Sequence, residues 1–133
     1  MDITWIDFTK FEDERGCLVA VEAERSIPFE IQRVYYISGV QPDVHRGFHA
    51  HKQTRQILVC ISGSCIFLLD NGKEKEYVEL NRPNRGLLVD RHIWHEMFQF
   101  TPGTILMSLA SEWYNEDDYI RNYETFLKYV QEK

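Results

Sequence analysis

Along most of this chain apolar residues recur at every second position. The segments GCLVAVEA (16–23), FEIQRVYYISGV (29–40), TRQILVCISGSCIFLLD (54–70), KEYVEL (75–80), RGLLVD (85–90) and GTILMSLAS (103–111) are short and rich in β-branched and aromatic residues. Such runs suit pleated strands with a buried face. Turn signals separate them: Ser62-Gly63, Asn71-Gly72, Pro83-Asn84 and Pro102-Gly103. Asp70-Asn71-Gly72 predicts a hairpin, because Asn and Gly tolerate the positive φ of a tight turn. Many short strands at regular spacing predict a sandwich or barrel.

The last twenty residues change period. From Asn115 onward, Tyr119, Ile120, Tyr123, Phe126, Leu127 and Val130 step by three and four, which predicts a helix over about 115–131. Asn115 can cap its start, and Glu116, Asp117 and Asp118 fall where the helix dipole favours negative charge. Lys128 and Lys133 suit the other end. No repeat, low-complexity tract or linker interrupts the chain, so one domain over 1–133 is expected, with strands over about 3–111 before the helix.

Composition narrows the function classes. The chain has 133 residues, 44% of them hydrophobic and 14% aromatic, enough for one packed interior. A formal net charge of -6 argues against general nucleic-acid binding, although a single cleft can still be basic and hold a phosphate. Cys17, Cys60 and Cys65 form no CxxC pair and read as reduced, buried small hydrophobes. The opening MDITWIDFTKFEDERG carries acidic residues and no apolar core of a signal peptide, and no stretch reads as a membrane span. A soluble, cytoplasmic protein is expected.

Polar chemistry is densest in His45-Arg46-Gly47-Phe48-His49-Ala50-His51-Lys52. Residues two apart on a strand project from one face roughly 6.6 Å apart, so His49 and His51 enter one space. Gln56 and Gly63 complete the spacing HxH-x4-Q-x6-G, close to the cupin motif HxH-x4-E-x6-G. Cupins most often hold a divalent metal with that pair, the Glu and a later His. Gln56 lacks the charge a hard cation wants, and His95 is offset by one residue from the later ligand, so neither metal nor cofactor is expected. Two inward imidazoles without partners would be costly, which favours a site.

Alternation places Arg33 and Tyr35 on one strand face and Val34 and Tyr36 on the other. An arginine inside a barrel calls for an anion, and phosphate matches its planar fork; the other reading turns this face to solvent. Arg46, Lys52, Arg85 and Arg91 are either mouth charges or solvated surface groups. Trp94 and Trp113 suit core or dimer packing, Tyr114 suits amphipathic packing, and Asp117-Asp118 reads as a helix start rather than a carboxylate pair.

Together RVYYI, RGFHAHK, Gln56, LVCISGSC, GLLVDRHIWHEM and LASEWYNEDDYIRNYETF resemble the dTDP-sugar 3,4-ketoisomerases of the cupin superfamily. The likeness runs from about Asp13 to Tyr129, and RGFHAHK is its most specific element. The resemblance implies an all-β jelly-roll barrel with a C-terminal helix and a homodimer that exchanges N-terminal strands. It implies metal-free chemistry on a dTDP-linked keto sugar, dTDP-4-keto-6-deoxyglucose. His49, His51 and Tyr35 take the family's catalytic positions. Arg33, Arg46, Lys52, Gln56, Arg15, Gly16 and His95 are the expected substrate contacts. Asp13-Glu14-Arg15-Gly16 resembles the branch that makes the 3-keto galacto sugar rather than the gluco epimer. The chain departs from the family at Asp90-Arg91-His92, where a small residue and a proline are usual, and this bears on the loop before Trp94.

The expected function is therefore a sugar-nucleotide 3,4-ketoisomerase using histidine acid–base transfer, in a bacterial route to an amino-deoxy sugar of a surface glycan. The alternatives are a metal-dependent cupin enzyme, a sugar-nucleotide 3,5-epimerase and a non-catalytic sugar-nucleotide-binding cupin.

Overall fold

A computed structural model describes residues 1–132; Lys133, proposed above as a helix-end cation, lies outside them. Twelve strands are formed: β1 Trp5–Asp7, β2 Lys10–Asp13, β3 Gly16–Val19, β4 Arg33–Ser38, β5 Arg46–His51, β6 Gln56–Ser62, β7 Cys65–Asp70, β8 Lys75–Leu80, β9 Arg85–Val89, β10 Trp94–Phe98, β11 Ile105–Ala110 and β12 Tyr119–Ile120. One helix, α1, spans Tyr123–Gln131. Two five-stranded sheets, ordered β1-β9-β6-β11-β4 and β12-β5-β10-β7-β8, carry antiparallel pairings throughout. This is the expected all-β jelly roll with a C-terminal helix.

Strand β6 shows why the run ILVCI lacks polar alternation. Leu58 and Cys60 join Phe67, Leu69, Leu87, Met97 and Leu106 in the main core. Ile57 and Val59 point the opposite way, into a second cluster with Phe8, Ile27 and Leu109. Both faces are buried, so both parities are apolar. Each such Leu, Ile or Phe stabilises the fold by roughly 1.5–3 kcal/mol relative to an exposed position.

The terminal helix is shorter than its periodicity predicts. Asn115 does act as a cap, but of a single 3₁₀ turn over Glu116–Asp118, where its side chain accepts from the Asp117 N–H. Tyr119 and Ile120 stay extended because their backbone pairs with His51 and Ala50 of β5. The helix begins after Asn122, whose side chain accepts from the Thr125 N–H at 2.9 Å. Pairing with a sheet edge here outweighs local propensity. Phe126 of α1 is fully buried against Ala50, Trp94 and Ile120.

The Asn-Gly hairpin also differs in detail. Asp70 pairs with Lys75, so the loop has four residues rather than a two-residue turn. Asn71 Oδ1 accepts from the Lys73 and Glu74 N–H groups. Gly72 has φ +94°, and a Cβ there would lie 2.7 Å from Val130 Cγ2 of α1.

Strands β2 and β3 pair only with each other. Their hairpin leaves Phe11 and Leu18 61% and 59% exposed, and Cys17, expected in the core, is exposed with them. Cys60 and Cys65 are buried with their sulfurs 3.6 Å apart. Among the described residues no helix is long and apolar enough to cross a membrane.

Candidate active site

His49 and His51 project from β5 into the barrel, and His95 faces them from β10, where it is the register partner of His49. The ring centroids lie 4.4 Å apart for His49–His95 and 5.0 Å for His49–His51. A bulge aims them. Gly47 has φ +93° and Phe48 φ +58°, and the β5–β10 register slips between His95 and Glu96. Gly47 also has no room for a side chain: a Cβ would sit 2.8 Å from both His95 O and Met97 Sδ. A bulge of this kind re-aims the side chains beside it.

Each ring is held through Nδ1. His49 Nδ1 lies 3.0 Å from Gly47 O, and His95 Nδ1 lies 3.2 Å from Ile93 O. A carbonyl only accepts, so both Nδ1 atoms carry hydrogen. His51 Nδ1 lies 2.8 Å from Asp118 Oδ2 and donates to that carboxylate. All three rings therefore turn unprotonated Nε2 atoms away from their anchors.

The environment keeps them neutral. Burial, reinforced by neighbouring His51 and Arg121, takes His49 down to about 4 despite its bond to Gly47. Burial also lowers His51, against the opposing pull of Asp118. His95 falls well below the ordinary histidine value through burial and the two facing imidazoles. Burial pushes the Asp118 carboxyl up, but bonds from Thr54 Oγ1, the Gln53 N–H and His51 outweigh it and hold it below the usual range. Those bonds measure 2.5 Å from Thr54 and 2.6 Å from Gln53.

The opposite sheet supplies the remaining wall. Tyr35 of β4 donates to Gln56 Oε1 at 2.8 Å, and Ser108 of β11 donates to the same oxygen at 2.8 Å. Burial raises the Tyr35 hydroxyl above its ordinary value. Gln56 is fully buried, and its Nε2 has no partner among the described residues. The cavity in front of His49 measures about 320 Å³ and is lined by Arg33, Tyr35, Arg46, Tyr119 and Arg121, among others. Arg33 faces inward, as expected, with Nε buried and unpaired among the described residues. Its guanidinium lies over the Tyr35 and Tyr114 rings at 5.5 and 5.6 Å. Three guanidiniums at one cavity make an anion-receptive mouth.

The structure thus brings together Arg33, Tyr35, Arg46, His49, His51, Gln56 and His95, with Gln56 as a buried support rather than a wall. Three expected contacts lie elsewhere. Lys52 lines a separate hollow of about 660 Å³ with Gln32, Trp113 and Tyr114; that hollow holds none of the three histidines and is not assigned the chemistry. Arg15 and Gly16 sit on the β2–β3 hairpin, where Arg15 bonds Asp13 at 2.7 Å. Within one chain they do not line the cavity, because the hairpin joins neither large sheet. The unusual Asp90-Arg91-His92 loop is tied down: His92, at φ +66°, donates its N–H to His51 O at 2.8 Å.

Sequence reasoning missed Asp118, Arg121 and Tyr119. Asp118 was hidden in an acidic triplet that mimics a helix start. Arg121 lies within LASEWYNEDDYIRNYETF but was given no role there, yet it stacks 4.3 Å over Tyr119 and pairs with Glu116 at 2.7 Å.

A jelly roll that closes two sheets over an inward histidine cluster defines an RmlC-like cupin. Residues 1–131 match the family model described as "FdtA: WxcM-like, C-terminal". The TDP-4-oxo-6-deoxy-alpha-D-glucose-3,4-oxoisomerase of Aneurinibacillus thermoaerophilus is 48% identical over 125 residues, covering 94% of this chain and 90% of that protein. The crystal structure of a 3,4-ketoisomerase from Helicobacter canadensis superposes with a TM-score of 0.95 at 45% identity, over 98% of each chain. A histidine-to-asparagine variant of the 3,4-ketoisomerase QdtA from Thermoanaerobacterium thermosaccharolyticum, in complex with TDP-4-keto-6-deoxyglucose, gives 0.96 at 41% identity, over 98% of this chain and 95% of that one. The chain belongs to the 3,4-ketoisomerase family of RmlC-like cupins and is an isomerase.

Proposed function

We propose that the enzyme converts dTDP-4-keto-6-deoxy-D-glucose into dTDP-3-keto-6-deoxy-D-galactose by histidine-mediated proton transfer. The observation that carries this reading is the set of anchored imidazoles, with His49 lining a cavity rimmed by Arg33, Arg46 and Arg121 and His51 and His95 packed behind it. The arginines suit the diphosphate, and the imidazoles suit the sugar. The C4 carbonyl acidifies the C3 proton, and His49 Nε2, neutral and at the cavity surface, removes it. His51 takes the O3 proton through Nε2, its transient positive charge balanced by Asp118, and a proton returns at O4. Protonation at C4 completes the shift. For the galacto product the proton leaves C3 and reaches C4 on the same ring face, so His49 serves both carbons.

Tyr35 stabilises the enediolate. Its hydroxyl proton is directed to Gln56 Oε1, but turning the Gln56 amide over would let Nε2 donate to Tyr35 and Ser108 instead. That state pairs the orphaned Nε2 and releases the tyrosine proton to the cavity. Arg15-Gly16 supports the galacto product through its likeness to that branch. The test is the NMR spectrum of the product from dTDP-4-keto-6-deoxyglucose, trapped by a sugar 3-aminotransferase. A 3-amino galacto sugar is expected; a gluco product overturns the stereochemical assignment, and unchanged substrate overturns the activity. A 3-keto product suits an aminotransferase step, which supports a role in amino-deoxy-sugar synthesis among cytoplasmic nucleotide sugars.

The depressed histidine values give a pH prediction. The base works only when neutral, so a lowered pKa keeps it active further into acid. The acid limb of kcat/KM, which reports the free enzyme, is expected near pH 4 because His49 lies at about 4. A limb near 6.5 in a pH series would show that another group governs the reaction.

We also propose a homodimer in which the β2–β3 hairpin packs on a second subunit. Its isolation and its exposed Phe11 and Leu18 support this, and only there could Arg15 approach an active site. Sedimentation is expected to show a dimer for the native chain and a monomer for Phe11→Asp/Leu18→Asp; a native monomer would exclude the exchange.

A further inference from the structure

We propose that Cys60 and Cys65 are a peroxide-sensitive pair that closes to a disulfide and ties the two sheets of the barrel together. The two residues flank the turn that carries the chain from one sheet to the other. Cys60 is the register partner of Leu106 in β11 of the first sheet, and Cys65 that of Leu80 in β8 of the second. Both side chains enter the main core, where their sulfurs meet at 3.6 Å. A disulfide needs a separation of about 2.05 Å, so the remaining gap is about the length of one covalent bond.

The turn holds the thiols beside each other. The Ser64 N–H donates to Thr101 Oγ1 at 2.9 Å, and Ser64 O accepts from the Thr101 N–H at 3.0 Å and from Thr104 Oγ1 at 3.1 Å. Gly63 has φ +75°, and a Cβ there would lie 2.8 Å from Thr104 Cα. With the turn pinned to the 101–104 loop, each thiol stays within reach of the other as an intramolecular reactant. Cys17 has no such neighbour: it is exposed on the β2–β3 hairpin.

The shared hydrogen divides the roles. With Cys65 as donor, that bond holds the Cys60 thiol below its ordinary value despite burial, and the same bond pushes Cys65 up. Cys60 is therefore the nucleophile, since the thiolate is the reactive form. Its sulfur attacks one oxygen of hydrogen peroxide and the O–O bond breaks. The departing hydroxide takes up the proton lost by the thiol, leaving water and a Cys60 sulfenic acid. The Cys65 sulfur then attacks the Cys60 sulfur, the S–O bond breaks, and a second water leaves with the Cys65 proton. The two thiols lose two electrons and two hydrogens in all, and peroxide gains them. Burial makes the first step slow. Ile61, Ser62 and Gly63 of the turn are exposed, and peroxide, little larger than water, reaches the sulfurs as the turn opens locally. The pair stands apart from the histidines, four residues along β6 from Gln56, roughly 13 Å at the rise of a strand. The bridge acts on the fold: it restricts the unfolded chain and so favours the closed barrel.

The test exposes reduced native protein to hydrogen peroxide and maps its peptides, without prior reduction, by mass spectrometry. A Cys60–Cys65 linkage, lighter by two hydrogens and reversed by dithiothreitol, is expected, with a melting temperature higher by about 5 °C. Cys17→Ser should cross-link like the native chain. Cys65→Ser lacks the resolving thiol, so dimedone is expected to trap a sulfenic acid at Cys60. Cys60→Ser provides a second variant should that one fail to fold, and its Cys65 should resist peroxide. The proposal is overturned by free Cys60 and Cys65 thiols in protein whose Cys17 is fully oxidised, or by a sulfinic acid in place of the linkage. A linked protein whose melting temperature does not rise would equally exclude a bond that ties the sheets.

Discussion

His49→Asn is expected to reduce kcat by at least about 10²–10⁴-fold, the usual contribution of a positioned acid–base group, while leaving the fold intact. His49 lines the cavity, whereas His51 and His95 are 2% exposed behind it. The shorter amide leaves no large void in the core and removes only the basic Nε2. The arginines that suit the diphosphate are untouched, so binding of the sugar nucleotide should survive the loss of turnover. Product NMR, circular dichroism and calorimetric binding together read these outcomes. Turnover near the native value would remove His49 from the role of base. In D₂O, native enzyme that uses one base for both carbons should carry part of the C3 protium to C4.

How much of this site was legible in the sequence depended on which physical rule placed each residue. Strand parity placed His49 with His51 and Arg33 with Tyr35, because a period of two admits no other arrangement within a strand. The fold class followed from the same parity repeated along the chain. Residues joined by long-range pairing were harder to see. His95 lies on Trp94–Phe98, where alternate residues face the main core and the helix cluster, and its one-residue offset from the motif concealed that it pairs directly with His49. The segment 115–122 was misread because Tyr119 and Ile120 fit a helical stripe by spacing alone. Their true constraint is the edge of β5, a partner nearly seventy residues away that local periodicity does not encode. The role given to Arg15 and Gly16 rests on family resemblance alone, since one chain leaves them outside the cavity.

That misread segment carries the second large effect. Asp118→Asn is expected to lower kcat by about 10²–10⁴-fold, through His51 rather than through contact with the sugar; disrupting a histidine's tautomer-setting aspartate has an effect of this order in the serine-protease triad. The native carboxylate only accepts: Oδ2 from His51 Nδ1 and Thr54, Oδ1 from the Gln53 N–H. An asparagine must place its NH₂ at one of those positions. At the Oδ2 position it donates to His51 Nδ1, forcing the hydrogen onto Nε2 and removing the lone pair that receives the O3 proton. At the Oδ1 position it meets the Gln53 N–H donor to donor and breaks the turn. A buried mismatch of that kind destabilises by roughly 1–3 kcal/mol, so the folded protein should favour the first arrangement. Nitrogen-15 NMR of the imidazoles separates this from simple misfolding: His51 should change from the Nδ1–H to the Nε2–H tautomer while His49 and His95 keep theirs. Asp118→Glu, which retains an acceptor-only group, should recover part of the rate. Native turnover in Asp118→Asn, or a lost rate with the His51 tautomer unchanged, would show that the carboxylate does not position the imidazole for proton transfer.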